Sequence, residues 1–120
     1  MLIRYKRNFE KIAMGLLSFM PQEKDIKILQ KTITEYEQNP DYHLYLWKEV
    51  DAMIGVIGLQ KMGEQNKMMI KHLAVDPSHR YQGIGKKMVQ EIKKLYKDEH
   101  TICASDDIEN FFLKCSEEEA

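Results

Sequence analysis

The residues with the clearest chemical potential lie between Val75 and Val89. Val75 ends a hydrophobic run, Pro77 marks a break, and a basic loop containing Gly83 and Gly85 leads into an amphipathic segment. Such a loop leaves a row of backbone N–H groups without partners at the start of a helix, where phosphate oxygens can accept hydrogen bonds. The sequence therefore predicts a site for a phosphorylated ligand in this loop.

The spacing of the two glycines excludes two common phosphate loops. A mononucleotide P-loop has a glycine five residues before the one that precedes its lysine, and Arg80 occupies that place. A dinucleotide fingerprint needs a third glycine three residues after Gly85, where Met88 stands. The remaining pattern is Arg80-x-x-Gly83-x-Gly85. By itself this pattern is also compatible with a simple tight turn, because glycine tolerates positive φ.

Hydrophobic periodicity and turn signals predict the elements that hold the loop, in the order βααβββαβα. The predicted helices are Phe9–Met20, with Asn8 as cap and Pro21 as stop, Asp25–Gln38, Gly83–Tyr96, and a last helix capped by Ser105. The predicted strands are Leu2–Tyr5, Tyr42–Trp47, Ala52–Gln60, Met68–Val75 and Thr101–Ala104. Strand Met68–Val75 alternates little, which predicts burial of both its faces. The order indicates an α+β or α/β sandwich with a mixed sheet.

Composition bounds the size of the protein and its surroundings. A length of 120 residues predicts one domain with one core. A net charge of −1 provides no basic surface for nucleic acid, and no apolar run approaches the ~20 residues of a membrane span. Cys103 and Cys115 form no CxxC pair and no secretory pattern is visible, so we expect reduced thiols in a cytoplasmic protein. The four histidines are scattered, so we expect no metal site.

In its context, the loop resembles the core motif of the GNAT acetyltransferases, (Gln/Arg)-x-x-Gly-x-(Gly/Ala). The approach Leu73–Arg80 is similar to that family's L-x-V-x-P-x-x-R pattern, and the element order resembles the family over nearly the whole chain. Segments Met1–Lys6 and Phe9–Pro21 are similar to a small branch that is encoded with riboflavin biosynthesis genes in some Gram-positive bacteria. The resemblance implies the GNAT acyl-CoA N-acyltransferase fold, a mixed, mostly antiparallel sheet flanked by helices.

The resemblance implies a site for acetyl-CoA as co-substrate, with its diphosphate over the N–H groups of Tyr81–Lys86. There Gly83 and Gly85 admit close approach of the backbone, and the helix dipole favours negative charge. Arg80 and Lys86 would supply positive charge, although either side chain could equally be a solvated surface residue.

The resemblance also implies that the pantetheine arm runs along Leu73–Val75, where two parallel strands separate. The N–H of Leu73 would then stabilise the oxyanion of the reaction. Ser105 falls where the family often has an asparagine near pantetheine, but it could equally be a helix cap. The implied cofactor contacts are Leu73, Ala74, Val75, Arg80, Tyr81, Gln82, Gly83, Ile84, Gly85, Lys86, Ser105 and Phe112.

The family's general base has no clear counterpart, because Met69 and Lys71 fill its usual positions. Strand parity would turn the neighbouring His72 to the opposite face, so we interpret it as a structural or surface histidine. Glu64 lies in a turn from which it could reach inward, but most such carboxylates are solvated.

The family's general acid is also missing from the last helix, where Phe112 takes the place of the usual tyrosine and Phe111 lies beside it. In addition to the Leu73 amide, the polar candidates for a catalytic or positioning role are Ser105 and Asn110. With the base unassigned, a water chain or an amine that is already neutral would have to replace proton transfer by the protein.

Most members of the family continue past this helix with two further strands. We therefore predict one GNAT-like domain over 1–115, truncated after the last helix, and a frayed acidic tail over 116–120. The acceptor side would be open to a large substrate or closed by a second subunit of a homodimer. The residues that could line it, or could simply form core, are Leu17, Phe19, Met20, Tyr42, Tyr45 and Trp47.

Two functions from different classes remain open. The first is an acetyl-CoA-dependent N-acetyltransferase that acts on an amine of a small molecule or a protein. The alternative is a regulatory or scaffolding module that binds CoA or acetyl-CoA with little catalysis, which the apolar Met69 and Phe112 favour. A flavin precursor as acceptor would rest on gene neighbourhood in the branch, not on any residue.

Overall fold

Five strands build one sheet in the computed structural model, which describes residues 1–63 and 66–119, with side chains to Cys115. The strands are β1 (Leu2–Arg4), β2 (Tyr42–Glu49), β3 (Ala52–Met62), β4 (Lys67–Val75) and β5 (Thr101–Ala104), and they lie side by side in chain order. All neighbours are antiparallel except the parallel pair β4–β5. This is the mixed, mostly antiparallel sheet that the family resemblance implied, and the prediction is confirmed.

Helices cover both faces of this sheet. They are α1 (Glu10–Leu17), α2 (Ile26–Gln38), α3 (Ile84–Leu95) and α4 (Glu109–Glu119). A Cβ on Gly55 would meet the side chain of Met88 in α3, whereas a Cβ on Gly58 would meet the hydroxyl of Tyr36 in α2. Because an odd spacing along a strand changes the face, α2 and α3 pack on opposite sides of β3.

The helix boundaries depart from the sequence prediction mainly at α1. Asn8 lies in a short 3-10 turn rather than capping the helix, which begins at Glu10 without a side-chain cap and ends at Leu17. Asp25 does cap α2, because its Oδ1 accepts a hydrogen bond of 2.7 Å from the amide of Lys27.

Strand β4 buries residues on both faces of the sheet. Along Lys67–Val75, Met68, Ile70, His72 and Ala74 are buried and the intervening residues are half-buried or exposed. Gly58 pairs with His72 and Leu59 pairs with Ile70, so the buried residues change face between Ile70 and His72. Met68 and Ile70 therefore lie on the α3 face, whereas His72 and Ala74 lie on the α2 face.

The backbone of α4 continues past Cys115 to Glu119, so the part of the predicted acidic tail described by the structure, 116–119, is helical. Ala120 lies outside the described residues. None of the described helices combines the length and apolar character needed to cross a bilayer.

Candidate active site

The loop before α3 presents unpaired backbone amides. The amide of Arg80 donates to the carbonyl of Pro77 (3.4 Å) and that of Lys87 donates to Gly83 (3.0 Å). The amides of Tyr81 through Gly85, between them, donate no hydrogen bond within the described part of the chain. This row stands at the N-terminus of a twelve-residue helix, where the dipole favours an anion. We call residues 81–86 the phosphate loop.

The edge of β4 opens directly beside this loop. Strand β4 pairs with β5 only along Lys67–Ile70, and the amide of Ser105 donates to the Ile70 carbonyl (3.0 Å) as the chain turns away. Beyond that point, the amide of Asp76 donates to Ile54 in β3 (2.8 Å). Since main-chain groups alternate in direction along a strand, those of Leu73 and Val75 point away from β3 into the gap. The amide of Leu73 therefore faces the opening, as an oxyanion donor would have to.

A cavity of about 700 Å³ connects the gap and the loop. Its wall is formed by Phe19–Gln22 after α1, by Leu73–Val75, by most of His79–Lys86, and by Asp107 and Phe111. The loop end is basic and rich in amides, while the end near Leu73 and Phe19–Gln22 is largely apolar. This shape suits a ligand with a charged head and a long, thin arm.

Most of the predicted cofactor residues share this wall, namely Leu73, Ala74, Val75, Arg80, Tyr81, Gly83, Ile84, Gly85 and Lys86. Arg80 is anchored there, because its Nε donates to the carbonyl of Val75 at 3.3 Å. Gln82 borders a separate recess beside the β2–β3 turn instead.

The predicted contacts on the last helix differ from those that the structure places at the cavity. Phe111 is in the wall, and its ring lies where a Cβ on Gly85 would be. Phe112 packs against the core with its ring under the ammonium of Lys93 (4.8 Å), and Asn110 is exposed, outside the wall. The sequence could not decide between adjacent positions, because a rotation of one residue on a helix redirects a side chain by about 100°.

Ser105 does not cap α4 with its side chain, although its carbonyl accepts from the amides of Ile108 and Glu109. Its Oγ is buried and has no hydrogen-bond partner. It lies immediately after β5, where β4 and β5 part. Ser105 is absent from the cavity wall, so the structure does not place this predicted contact at the cavity.

A bulge in β4 corrects the predicted orientation of His72. Gly58 pairs with His72 and Leu59 pairs with Ile70, so Lys71 is an extra residue opposite β3. The insertion breaks the parity on which the prediction depended. His72 reaches Tyr36 of α2, and Lys71 Nζ reaches the hydroxyl of Tyr42 (3.2 Å), whose ring contacts that of Tyr36. Both side chains thus lie on the α2 face.

His72 is the centre of a buried hydrogen-bonded network with Glu23 and Tyr36. Its Nε2 is 3.0 Å from Glu23 Oε1 and its Nδ1 is 2.5 Å from the Tyr36 hydroxyl. The other carboxylate oxygen of Glu23 accepts from Thr32 Oγ1 at 2.8 Å. Glu23, His72 and Tyr36 are only 5%, 8% and 7% exposed. All five side-chain N and O atoms of these three residues have partners, as burial requires.

Burial determines the protonation of this network. Desolvation lowers the pKa of His72 below its ordinary value, although the Glu23 carboxylate beside it acts in the opposite direction. Burial also raises the pKa of Tyr36 well above its ordinary value. His72 is therefore neutral near pH 7, donating from Nε2 to Glu23 and accepting at Nδ1 from Tyr36. This supports a structural rather than a surface role for His72.

The remaining acceptor-side candidates divide between wall and core. Phe19 and Met20 line the cavity, while Leu17, Tyr45 and Trp47 are buried in the core. Met69 and Lys71 are absent from the wall, and Glu64 lies outside the described residues.

Sequence reasoning missed Glu23 entirely. A lone carboxylate between two predicted helices gave no signal, since such residues are usually solvated. The proline just before it, which begins a 3-10 turn, was the only local hint that the segment turns inward.

Comparison with known proteins gives a consistent result. Residues 10–113 match the model of the acetyltransferase (GNAT) family. Over 115 residues, the chain is 51% identical to a Bacillus methanolicus protein named "uncharacterized N-acetyltransferase in lysA 3′ region", with 96% of this chain and 94% of that one covered.

Solved structures share the fold at much lower identity. A possible acetyltransferase from Clostridium difficile 630 has a TM-score of 0.74 at 14% identity, covering 99% of this chain and 87% of that chain. A GNAT family acetyltransferase from Elizabethkingia anophelis with acetyl-CoA bound has a TM-score of 0.72 at 17% identity, covering 100% and 74%. At these identities the two structures support the fold alone.

Proposed function

Because this chain belongs to the GNAT family of acetyltransferases, we propose that it uses acetyl-CoA as the donor and transfers the acetyl group to an amine. Acetyl-CoA is proposed as the donor because, at the cavity wall, the unpaired amides of Tyr81–Gly85 lie beside the open edge of β4. The acetyl-CoA-bound relative from Elizabethkingia anophelis supports the same donor.

In the proposed complex, the diphosphate lies on the amides of Tyr81–Lys86 and the arm extends along Val75 to Leu73. Phe111, in the cavity wall, packs beside the arm. The thioester then reaches the apolar end of the cavity.

The reaction is direct attack of the amine nitrogen on the thioester carbonyl. A C–N bond forms, the carbonyl oxygen gains negative charge, and the Leu73 amide donates to that oxygen. Collapse of the intermediate breaks the C–S bond, and CoA leaves as a thiolate that takes up a proton. An ammonium acceptor first loses one proton to water, so that its nitrogen attacks as a neutral amine. The nitrogen loses a second proton to water as the amide forms, which balances the proton taken up by the thiolate. Among the described residues, the wall segments Phe19–Gln22 and Leu73–Val75 carry no titratable side chain. The titratable side chains of the wall are those of His79, Arg80, Tyr81, Lys86 and Asp107.

Two measurements test this proposal in sequence. CoA at a hundredfold excess over its Kd should raise the free energy of unfolding by about 2.7 kcal/mol, measurable as a thermal shift. Acetyl-CoA turnover against a library of amines and protein lysines, followed by release of the CoA thiol, then tests transfer. A failure of CoA to bind at millimolar concentration would defeat the proposal.

Variants at Leu73 test the oxyanion donor. Leu73→Pro removes an amide that makes no bond to β3, and should lower kcat by about 10²–10³-fold. Leu73→Ala keeps the amide and controls for the lost side chain. Equal activity of the two variants would contradict the assigned role.

A second function is favoured by the composition of the site. In the described part of the wall, Phe19–Gln22 and Leu73–Val75 carry no proton donor or acceptor that titrates, and Met69 and Phe112 stand where the family often has such groups. These features suit a module that binds CoA or acetyl-CoA and regulates or scaffolds a partner. Tight CoA binding with no transfer above the uncatalysed rate would favour this function over catalysis.

The acceptor is proposed only as a primary amine. A flavin precursor belongs in the library because of the resemblance of the N-terminal segment to the riboflavin-associated branch. The same proposal includes a homodimer that closes the acceptor side. It also includes a cytoplasmic location, which is consistent with the reduced state of Cys103 and Cys115. Sedimentation with and without CoA tests the dimer.

A further inference from the structure

Tyr81 combines two unfavourable features at the mouth of the cavity. Its φ is +65°, a left-handed conformation that residues other than glycine seldom adopt. Its side chain is fully exposed (relative exposure 105%), yet it lines the cavity wall. Among the described residues, the other non-glycine positions with positive φ are Val50 and Asn66, both in hairpin turns between strands. Tyr81 lies in no hairpin, so the turn geometry of a hairpin does not explain it.

The backbone of Tyr81 is part of the phosphate loop, whereas its ring is exposed to solvent. The left-handed turn lies at the start of the row of unpaired amides from Tyr81 to Gly85, and a glycine would adopt this turn with less strain. A ring held in solvent by a strained backbone suggests that it packs against something absent from the free protein. An observed outlier of this kind supports a hypothesis of function.

The cavity determines which part of the ligand can reach the ring. If the diphosphate lies on the loop amides and the arm extends inward to Leu73, the other substituent of the diphosphate must leave towards solvent. In CoA that substituent is a 3′-phosphorylated adenosine. Tyr81 is fully exposed to solvent and also borders the cavity, so its ring is accessible to a group that leaves the cavity there.

We propose that Tyr81 stacks on the adenine ring of CoA and thereby selects free acyl-CoA over donors that carry only phosphopantetheine, such as a loaded carrier protein. The inference rests on the proposed CoA site. A tyrosine face offers an aromatic surface to a base without demanding a particular hydrogen-bonding edge. The hydroxyl is not needed for stacking, so the ring alone supplies the effect.

The test compares two ligands by calorimetry, CoA and 4′-phosphopantetheine, which keeps the arm and one phosphate but lacks the nucleotide. Tyr81→Ala should weaken CoA binding roughly tenfold and leave phosphopantetheine binding unchanged. Tyr81→Phe should bind both ligands as the natural protein does. Leu95→Ala, which removes an exposed side chain at the far end of α3, is the matched control.

The outcomes separate this inference from the function on which it rests. If the natural protein binds CoA and Tyr81→Ala binds it equally well, adenine stacking is wrong and the CoA site stands. Equal weakening of both ligands would mean that Tyr81 shapes the loop, which also overturns stacking. If the natural protein binds neither ligand, the proposed function and this inference both fail.

Discussion

The phosphate loop and the Glu23–His72–Tyr36 network differ in whether their polar groups have hydrogen-bond partners. In the loop, the amides from Tyr81 to Gly85 donate to nothing within the described chain, at the wall of a cavity. In the network, every side-chain nitrogen and oxygen has a partner and is sealed from solvent. Unpaired groups beside a cavity are available to a ligand, whereas a saturated buried network holds elements together. We therefore expect changes in the loop to act on binding and changes in the network to act on stability.

The largest expected effect is at Gly58→Val. A Cβ at Gly58 would fall on the Tyr36 hydroxyl, so the ring must move and His72 loses a partner. Overpacking and an unsatisfied buried nitrogen together should lower the free energy of unfolding by about 2–5 kcal/mol, measured by urea denaturation. Gly15→Ala, with open space around the new methyl group, should instead stabilise α1 by about 0.5–1 kcal/mol. A tolerated Gly58→Val would show that the network contributes little to stability.

Removing the Tyr36 hydroxyl tests whether the network affects stability without affecting CoA binding. Tyr36→Phe leaves His72 Nδ1 buried without a donor, and should cost about 1–3 kcal/mol of stability while leaving the Kd for CoA unchanged. Tyr45→Phe removes another hydroxyl, one that bonds Tyr96 in a less buried place, and should cost less. Calorimetry with CoA on the folded variants checks the second half. If Tyr36→Phe binds CoA more weakly and Tyr45→Phe does not, the network and the phosphate loop are coupled and the expected separation of binding from stability is wrong.

A valine in the phosphate loop should show the reverse pattern. Gly83 has a φ of +75° and open space where a Cβ would stand, beside the cavity. Gly83→Val should cost only about 1–2 kcal/mol in strain, but should weaken CoA binding roughly tenfold or more by disturbing the row of amides. Gly63→Val carries a similar strain at φ +55° in the β3–β4 turn, away from the wall, and should leave the Kd unchanged. If Gly83→Val and Gly63→Val bind CoA equally well, the phosphate loop is not part of the CoA site.

The smallest expected effect is a pH dependence of stability that originates in the network. Burial lowers the pKa of His72 in the folded protein, whereas the unfolded chain has an ordinary value near 6.5. Below about pH 6.5 the unfolded state binds a proton that the folded state does not, so the free energy of unfolding falls as the pH falls. His72→Gln should flatten this decline, measured as the free energy of unfolding in urea at a series of pH values. His43, whose pKa burial also lowers, contributes in the same direction and keeps the slope above zero.

The positions of the elements and of the phosphate loop could be predicted from local sequence. Turn residues, a proline break and helical periodicity act within a few residues of each other, so Thr101–Ala104 was placed at its observed bounds and the loop was found from Gly83 and Gly85. The angle at which α4 packs depends on contacts with residues distant in the sequence. The sequence therefore could not show that Phe111 rather than Phe112 reaches the wall. The bulge at Lys71 could not be predicted from local sequence either, because the register of a strand depends on its partner strand.

By itself the sequence determined that a row of amides would stand at the start of a helix after a buried strand. This follows from residue types and spacing alone, since proline and glycine restrict or free the backbone wherever they occur. Only the tertiary structure decided that β4 and β5 part beyond Ile70, that the Leu73 amide faces the gap, and that Glu23 and Tyr36 close around His72. These arrangements join residues up to 49 positions apart, and burial makes such pairs stable only once the whole sheet has formed.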